Sequence, residues 1–116
     1  MTTDAFRYLN TQRAAEFIGD SAGVNRLLAT LKTTLDADIP TLRQRLADGN
    51  TQGVNDLLHQ FKGFAPVFCV DSLVELVVHV EALSKQASLE ALKHAMAPLL
   101  IQLSALQAEV DHQLGA

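Results

Sequence analysis

His59, Lys62 and Gly63 are the residues of this chain whose types and spacing could do chemistry. An imidazole, with an unperturbed pKa of about 6.5, is nucleophilic at neutral pH and leaves again readily. The surrounding stretch reads as a helix. Val54, Leu57, Leu58, Phe61, Phe64, Ala65 and Phe68 recur at helical spacing and form one apolar face. At about 100° per residue they fall within roughly 60° of Phe61, and His59 lies roughly 160° from the stripe centre, pointing at solvent. Lys62 at i+3 and Gly63 at i+4 neighbour it on that surface. A glycine inside a helix costs about 0.5–1 kcal/mol relative to alanine. Close approach of another backbone beside His59 would account for that cost. On periodicity alone, a surface histidine with an incidental glycine accounts for the stretch equally well.

Helical periodicity governs the rest of the chain. Residues 4–18 read as a short helix with Phe6, Leu9, Ala14, Phe17 and Ile18 as apolar members and Asp4 as a cap. Gly19-Asp20-Ser21 breaks the pattern. A second helix is predicted over 21–47, on Val24, Leu27, Leu28, Leu31, Leu35, Ile39, Leu42 and Leu46. Its apolar stripe keeps phase through Pro40, which predicts one kinked helix and not two. Asp48-Gly49-Asn50 supplies glycine chemistry for its C-terminus.

The histidine helix is predicted over about 51–66, ended by Pro66. The fourth begins near residue 70, with Ser72-x-x-Glu75 as a capping box. Leu73, Leu76, Val77, Val80, Leu83 and Ser84 form its core stripe, and Val70, Val74 and Val78 form a second apolar row. The fifth runs over about 88–114, capped by Ser88, bent by Pro98, with Leu89, Leu92, Met96, Leu99, Leu103, Leu106 and Val110 at bundle spacing. Short connections make sequential long helices antiparallel. The expected fold is therefore all-α: an antiparallel up-down four-helix bundle with a short additional N-terminal helix, as one domain over residues 1–116.

Two apolar residues followed by His59-x-x-Lys62-Gly63, with a second amphipathic helix after them, resemble the motif of histidine phosphotransfer (HPt) domains. The resemblance extends over nearly the whole chain. It includes the length, the all-helical pattern, the motif near the middle, and Val80-Glu81 on the next helix. It implies a phosphorelay intermediate and not an enzyme. His59 would accept a phosphoryl group on Nε2 from a receiver-domain aspartyl phosphate and pass it to another receiver. Lys62 would offset the phosphoryl charge, and Gly63 would leave room for the partner. Glu81 occupies the place of a residue that holds the other ring nitrogen. An ordinary solvated glutamate is an equal reading of it.

The implied partners are receiver domains of hybrid sensor kinases and response regulators. They would bring the Mg²⁺, and this chain would need no cofactor or metal of its own. Gln60, Phe64, Val67, Val74, Val78 and Glu81 are the candidates for the receiver-docking surface. Gln60 and Gln52 could rim that surface, but each reads better as a plain solubilising residue. The family often has a glycine where Cys69 stands, which leaves the turn after the histidine helix open. An adaptor that binds receiver or kinase domains without phosphotransfer keeps the same fold and face, and is the alternative.

Composition narrows the function classes. Hydrophobic residues make up 48% of the 116, as in a folded globular domain. Net charge is −4, and from His59 onward three lysines stand against six acidic residues. No basic face for nucleic acid follows from this. Apolar runs are too short to span a membrane, and the N-terminus lacks the pattern of a signal peptide. One cysteine, Cys69, cannot close an internal disulfide, so a reducing cytoplasm is expected. A monomer is expected alongside the receiver partners. Met1 and a helix starting within a few residues favour a stand-alone protein. No ATP-binding segment is present, so the chain would not phosphorylate itself. His79, His94 and His112 read as surface residues. Glu109-x-x-His112 has di-iron spacing, but a di-iron bundle needs two such motifs and two more glutamates.

Overall fold

A computed structural model describes residues 6–115. Five helices account for most of them: α1 (Thr11–Ile18), α2 (Ser21–Ala47), α3 (Thr51–Phe68), α4 (Asp71–Ser84) and α5 (Leu89–Gly115). A helix of 27 residues is about 40 Å long at 1.5 Å per residue. The two that reach this length, α2 and α5, set the 44 Å long axis of the molecule.

The helices form because their apolar stripes need covering. α2 packs on α5 and α3, and α4 packs on α3 and α5, so the four long helices close around one core. Leu28, Leu35 and Leu42 of α2, Leu58 and Phe61 of α3, Leu73 and Val80 of α4, and Met96, Leu99 and Leu103 of α5 fill it. α1 lies against α2 and α3. At the surface, Lys32 bridges Asp36 and Asp111, and Gln107 donates to Asp36, tying α2 to α5. Exposed ions of this kind stabilise little. Among the described residues no helix is long and apolar enough to cross a membrane.

Helix ends follow local chemistry. Asp20 and Asn50 cap α2 and α3 by accepting from the backbone N–H of Gly23 and Gly53. Gly49 turns the chain between α2 and α3 at φ 72°, a left-handed conformation that favours glycine. Ser88 Oγ accepts from Ala91 N at the start of α5. The predicted span of α2 coincides with the observed one, and α2 continues through Pro40.

Two boundaries and one cap differ from expectation. The first helix starts at Thr11, capped by Asn10, and Asp4 lies outside the described residues. Leu9 is buried without being helical: it forms an antiparallel bridge with Cys69, while Asn10 N donates to Phe68 O and Val70 N to Tyr8 O. Glu109 of α5 locks this segment by accepting from the backbone N–H of Arg7, Tyr8 and Leu9.

α3 continues past Pro66 to Phe68. A proline forfeits one helical hydrogen bond. Here it stands exposed in the last turn, and Cys69 N still donates to Ala65 O. The Ser72–Glu75 capping box does not form, because α4 starts at Asp71 and Ser72 is already helical. Val70 is the cap, with no side-chain bond, and the chain enters α4 directly from its pairing with Tyr8.

Candidate functional site

α3 presents His59 to solvent and α4 stands behind it. The imidazole side chain is 69% exposed, where core packing has no use for it. On the next turn of α3, Lys62 is half-buried and Gly63 exposed. A methyl group built on Gly63 would meet nothing within 4 Å. Packing within the fold therefore does not require the glycine, and the surface beside His59 is left low and open.

Glu81 of α4 organises the groups around the histidine. Its side chain is only 2% exposed, so its charge needs partners. It has them on both oxygens. Oε1 accepts from Lys62 Nζ at 3.2 Å. Oε2 accepts from Asn55 Nδ2 at 3.2 Å and pairs with Lys85 Nζ at 3.4 Å. His59 Nδ1 lies 3.8 Å from Oε2. That is long for a hydrogen bond but close enough for a charge on the ring to be felt strongly.

Asn55 also donates to Ser84 Oγ at 2.9 Å, and Ser84 Oγ donates to the Glu81 carbonyl. These bonds fix the register of α3 against α4. Among the described residues no buried side-chain nitrogen or oxygen is left without a partner. Burial pushes the Glu81 carboxyl up, but hydrogen bonds from Lys62, Lys85 and Asn55 outweigh this and hold it below its ordinary range. Glu81 is thus a carboxylate at neutral pH.

The structure brings His59, Lys62 and Glu81 together and sets Gln60 on the rim. A shallow polar hollow beside the imidazole is lined by Asn55, Asp56, His59, Gln60, Glu81 and Lys85. Phe64 lies elsewhere, in a small apolar groove with Phe68 and Leu27 between α2 and α3. Its ring stacks tilted on Phe61, with centroids 5.0 Å apart. Val67 and Val74 are half-buried and Val78 is exposed. Glu81 faces inward to the histidine and lysines and offers little area to a partner.

Sequence reasoning missed Asn55 and Lys85. Their spacing held a signal, since Asn55 is four residues before His59 and Lys85 four after Glu81. Cys69 is buried, and burial pushes its thiol up to about 12, so it is unreactive in the folded chain. Glu109 is engaged by backbone N–H groups, and His112 packs edge-on against Phe6. Among the described residues no group of three or more His, Cys, Asp and Glu side chains is placed to hold a metal ion.

Fold and site together define an all-helical bundle that displays one histidine over a buried, cation-paired carboxylate. A family model for the Hpt domain matches residues 26–112, and the chain belongs to that family. The match runs from the first turns of α2 into the last turn of α5 and leaves α1 outside it. Comparison with curated proteins and with solved structures returned no match. Membership assigns the chain to histidine phosphotransfer in phosphorelay signalling, a process in which Hpt domains interact with receiver domains and act as carriers, not kinases.

Proposed function

We propose that this protein is a phosphorelay intermediate that receives a phosphoryl group on His59 Nε2 from a receiver-domain aspartyl phosphate and returns it to another receiver. The observation that carries this reading is the exposed His59, with its Nδ1 facing the Glu81 carboxylate, in a chain of the Hpt family.

The chemistry follows from that geometry. A neutral ring that keeps its proton on Nδ1 has its lone pair free on Nε2. That lone pair attacks phosphorus, and the acyl P–O bond breaks with its electrons leaving on the aspartate. The ring retains the Nδ1 proton, so positive charge develops on it, 3.8 Å from Glu81 Oε2. The carboxylate stabilises this charge electrostatically and orients the ring. The reverse step returns the phosphoryl group by the same path. Lys62 holds the Glu81 carboxylate in place beside the acceptor, and Gly63 lets the receiver backbone approach.

In this reading Mg²⁺ belongs to the receiver, the partners are receiver domains of sensor kinases and response regulators, and the chain works as a cytoplasmic monomer. The docking surface in this reading takes in Gln60, on the rim of the hollow, and Val74 and Val78 of α4, with Val67 at its margin; Phe64 falls outside it, in the groove between α2 and α3. An up-down antiparallel arrangement of α2 to α5 belongs to the same proposal, supported by the short connections and by the closed order of helix packing.

The test is transfer from a phosphorylated receiver domain, with H59Q alongside. The expected result is an acid-labile, alkali-stable adduct on the wild type and none on H59Q. A folded wild type that takes no phosphoryl group from a broad panel of receivers overturns the proposal.

A further inference from the structure

Lys62 is the lysine that the motif offers to the phosphoryl group, yet it is bound to Glu81 at 3.2 Å. A second lysine, Lys85, shares the same carboxylate from the other side. The two arrive from opposite ends of the site. Lys62 comes from one turn beyond His59 on α3. Lys85 follows Ser84, whose hydroxyl meets Asn55 one turn before His59. Of the two, Lys85 lines the hollow beside the imidazole, and it is the cation there. Asp56 rims the same hollow with a negative charge, which makes a cation at that position the more necessary.

We infer that Lys85 is the phosphoryl-binding cation: when His59 is phosphorylated, Lys85 Nζ leaves Glu81 for the phosphoryl oxygens, and Lys62 stays on Glu81 as its anchor. This rests on the acceptor role proposed for His59.

Three observations favour that division of labour. The carboxylate is buried, so it must keep a partner on each oxygen. If Lys85 leaves, Oε2 still accepts from Asn55 Nδ2 at 3.2 Å, whereas Oε1 has Lys62 as its partner and would lose it. Lys85 is also the freer side chain, 58% exposed against 35% for Lys62, and its contact is the longer one, at 3.4 Å.

Charge bookkeeping points the same way. Lys62 balances Glu81, so that pair offers nothing to an incoming anion. A phosphoryl group brings about −1.5 to −2 charges at neutral pH. Lys85 is the positive charge left over to meet it, on a flexible stem suited to a point-charge contact.

The test uses ¹⁵N-lysine-labelled whole chain, with the two Nζ resonances assigned through K62Q and K85Q. His59 is phosphorylated with phosphoramidate, a small donor that needs no receiver. The Lys85 signal should move on phosphorylation, and the Lys62 signal should stay. Against a fixed receiver, K85Q should lower the equilibrium level of phosphorylated His59 about tenfold, and K85R should restore most of it. Movement of Lys62 alone, or a K85Q level equal to wild type, overturns the inference and leaves the acceptor role standing. A wild type that gains no phosphoryl group from phosphoramidate or from any receiver overturns both.

Discussion

Glu81 approaches His59 across the α3–α4 interface, its Oε2 3.8 Å from the imidazole Nδ1, while its own side chain is almost wholly covered. An exposed imidazole is thus backed by a buried charge. In the proposed carrier, Nε2 is the nitrogen that reacts, and Nδ1, which keeps its proton, faces the carboxylate.

Removing that charge while keeping the shape tests the arrangement. E81Q should slow phosphoryl uptake by His59 about tenfold to a hundredfold, the range seen when a histidine loses the partner that orients it. Rapid-quench transfer from one receiver gives the rate. The circular dichroism spectrum should remain that of a helical bundle, because Asn55 can still bond the amide.

The same glutamate sets a pH dependence of stability. Despite its burial, its carboxyl is held below the ordinary glutamate value of 4.5 in the folded chain by the hydrogen bonds from Lys62, Lys85 and Asn55. The unfolded state therefore binds the proton more readily. The contribution of Glu81 is full above about pH 4.5 and is lost as pH falls through the folded value. The difference in urea stability between wild type and E81Q should be largest near neutral pH and shrink at about pH 3.

Glu109 makes a prediction outside the site. Its carboxylate accepts from three backbone N–H groups, at Arg7, Tyr8 and Leu9, about a hundred residues away in sequence. Hydrogen bonds to charged groups contribute about 1.5–3 kcal/mol when formed away from solvent, and partial exposure here reduces that. E109A should cost about 1–2 kcal/mol in urea unfolding. It should also raise amide exchange at residues 7–10 and leave phosphoryl uptake at His59 unchanged.

Cys69 gives a probe of opening. Its thiol is buried and pushed up to about 12. It should resist iodoacetamide at about pH 8 in the native chain and react at the ordinary rate in urea. Because Leu9 pairs with Cys69, E109A should speed the native-state reaction as well.

What the sequence disclosed depends on how local the physics is. α2 and α5 were legible nearly to the residue, because a long apolar stripe allows one helical phase. His59, Lys62 and Gly63 were legible because their spacing lies within one helix. The start of α1 was not: Phe6 and Leu9 satisfy helical spacing, but the burial of Leu9 comes from pairing with Cys69 and anchoring on Glu109, both remote in sequence. The partnership of Asn55 and Lys85 with Glu81 was hidden for the same reason. Both spacings were visible, but the register of α3 on α4 decides that they converge on one carboxylate.

Gly63 separates stability from function. Its helix would be more stable with alanine by about 0.5–1 kcal/mol, since glycine adds backbone freedom to the unfolded chain. A methyl there touches nothing in the fold, so no clash offsets the gain. Yet it lies one turn from His59, on the surface proposed for receiver docking. G63A should therefore unfold at higher urea while transferring phosphoryl more slowly from a receiver, with uptake from phosphoramidate unchanged. The small donor needs no room for a partner backbone, and the contrast between the two donors assigns the loss to docking. Equal transfer from the receiver in G63A and wild type would mean that no partner backbone comes close at this position.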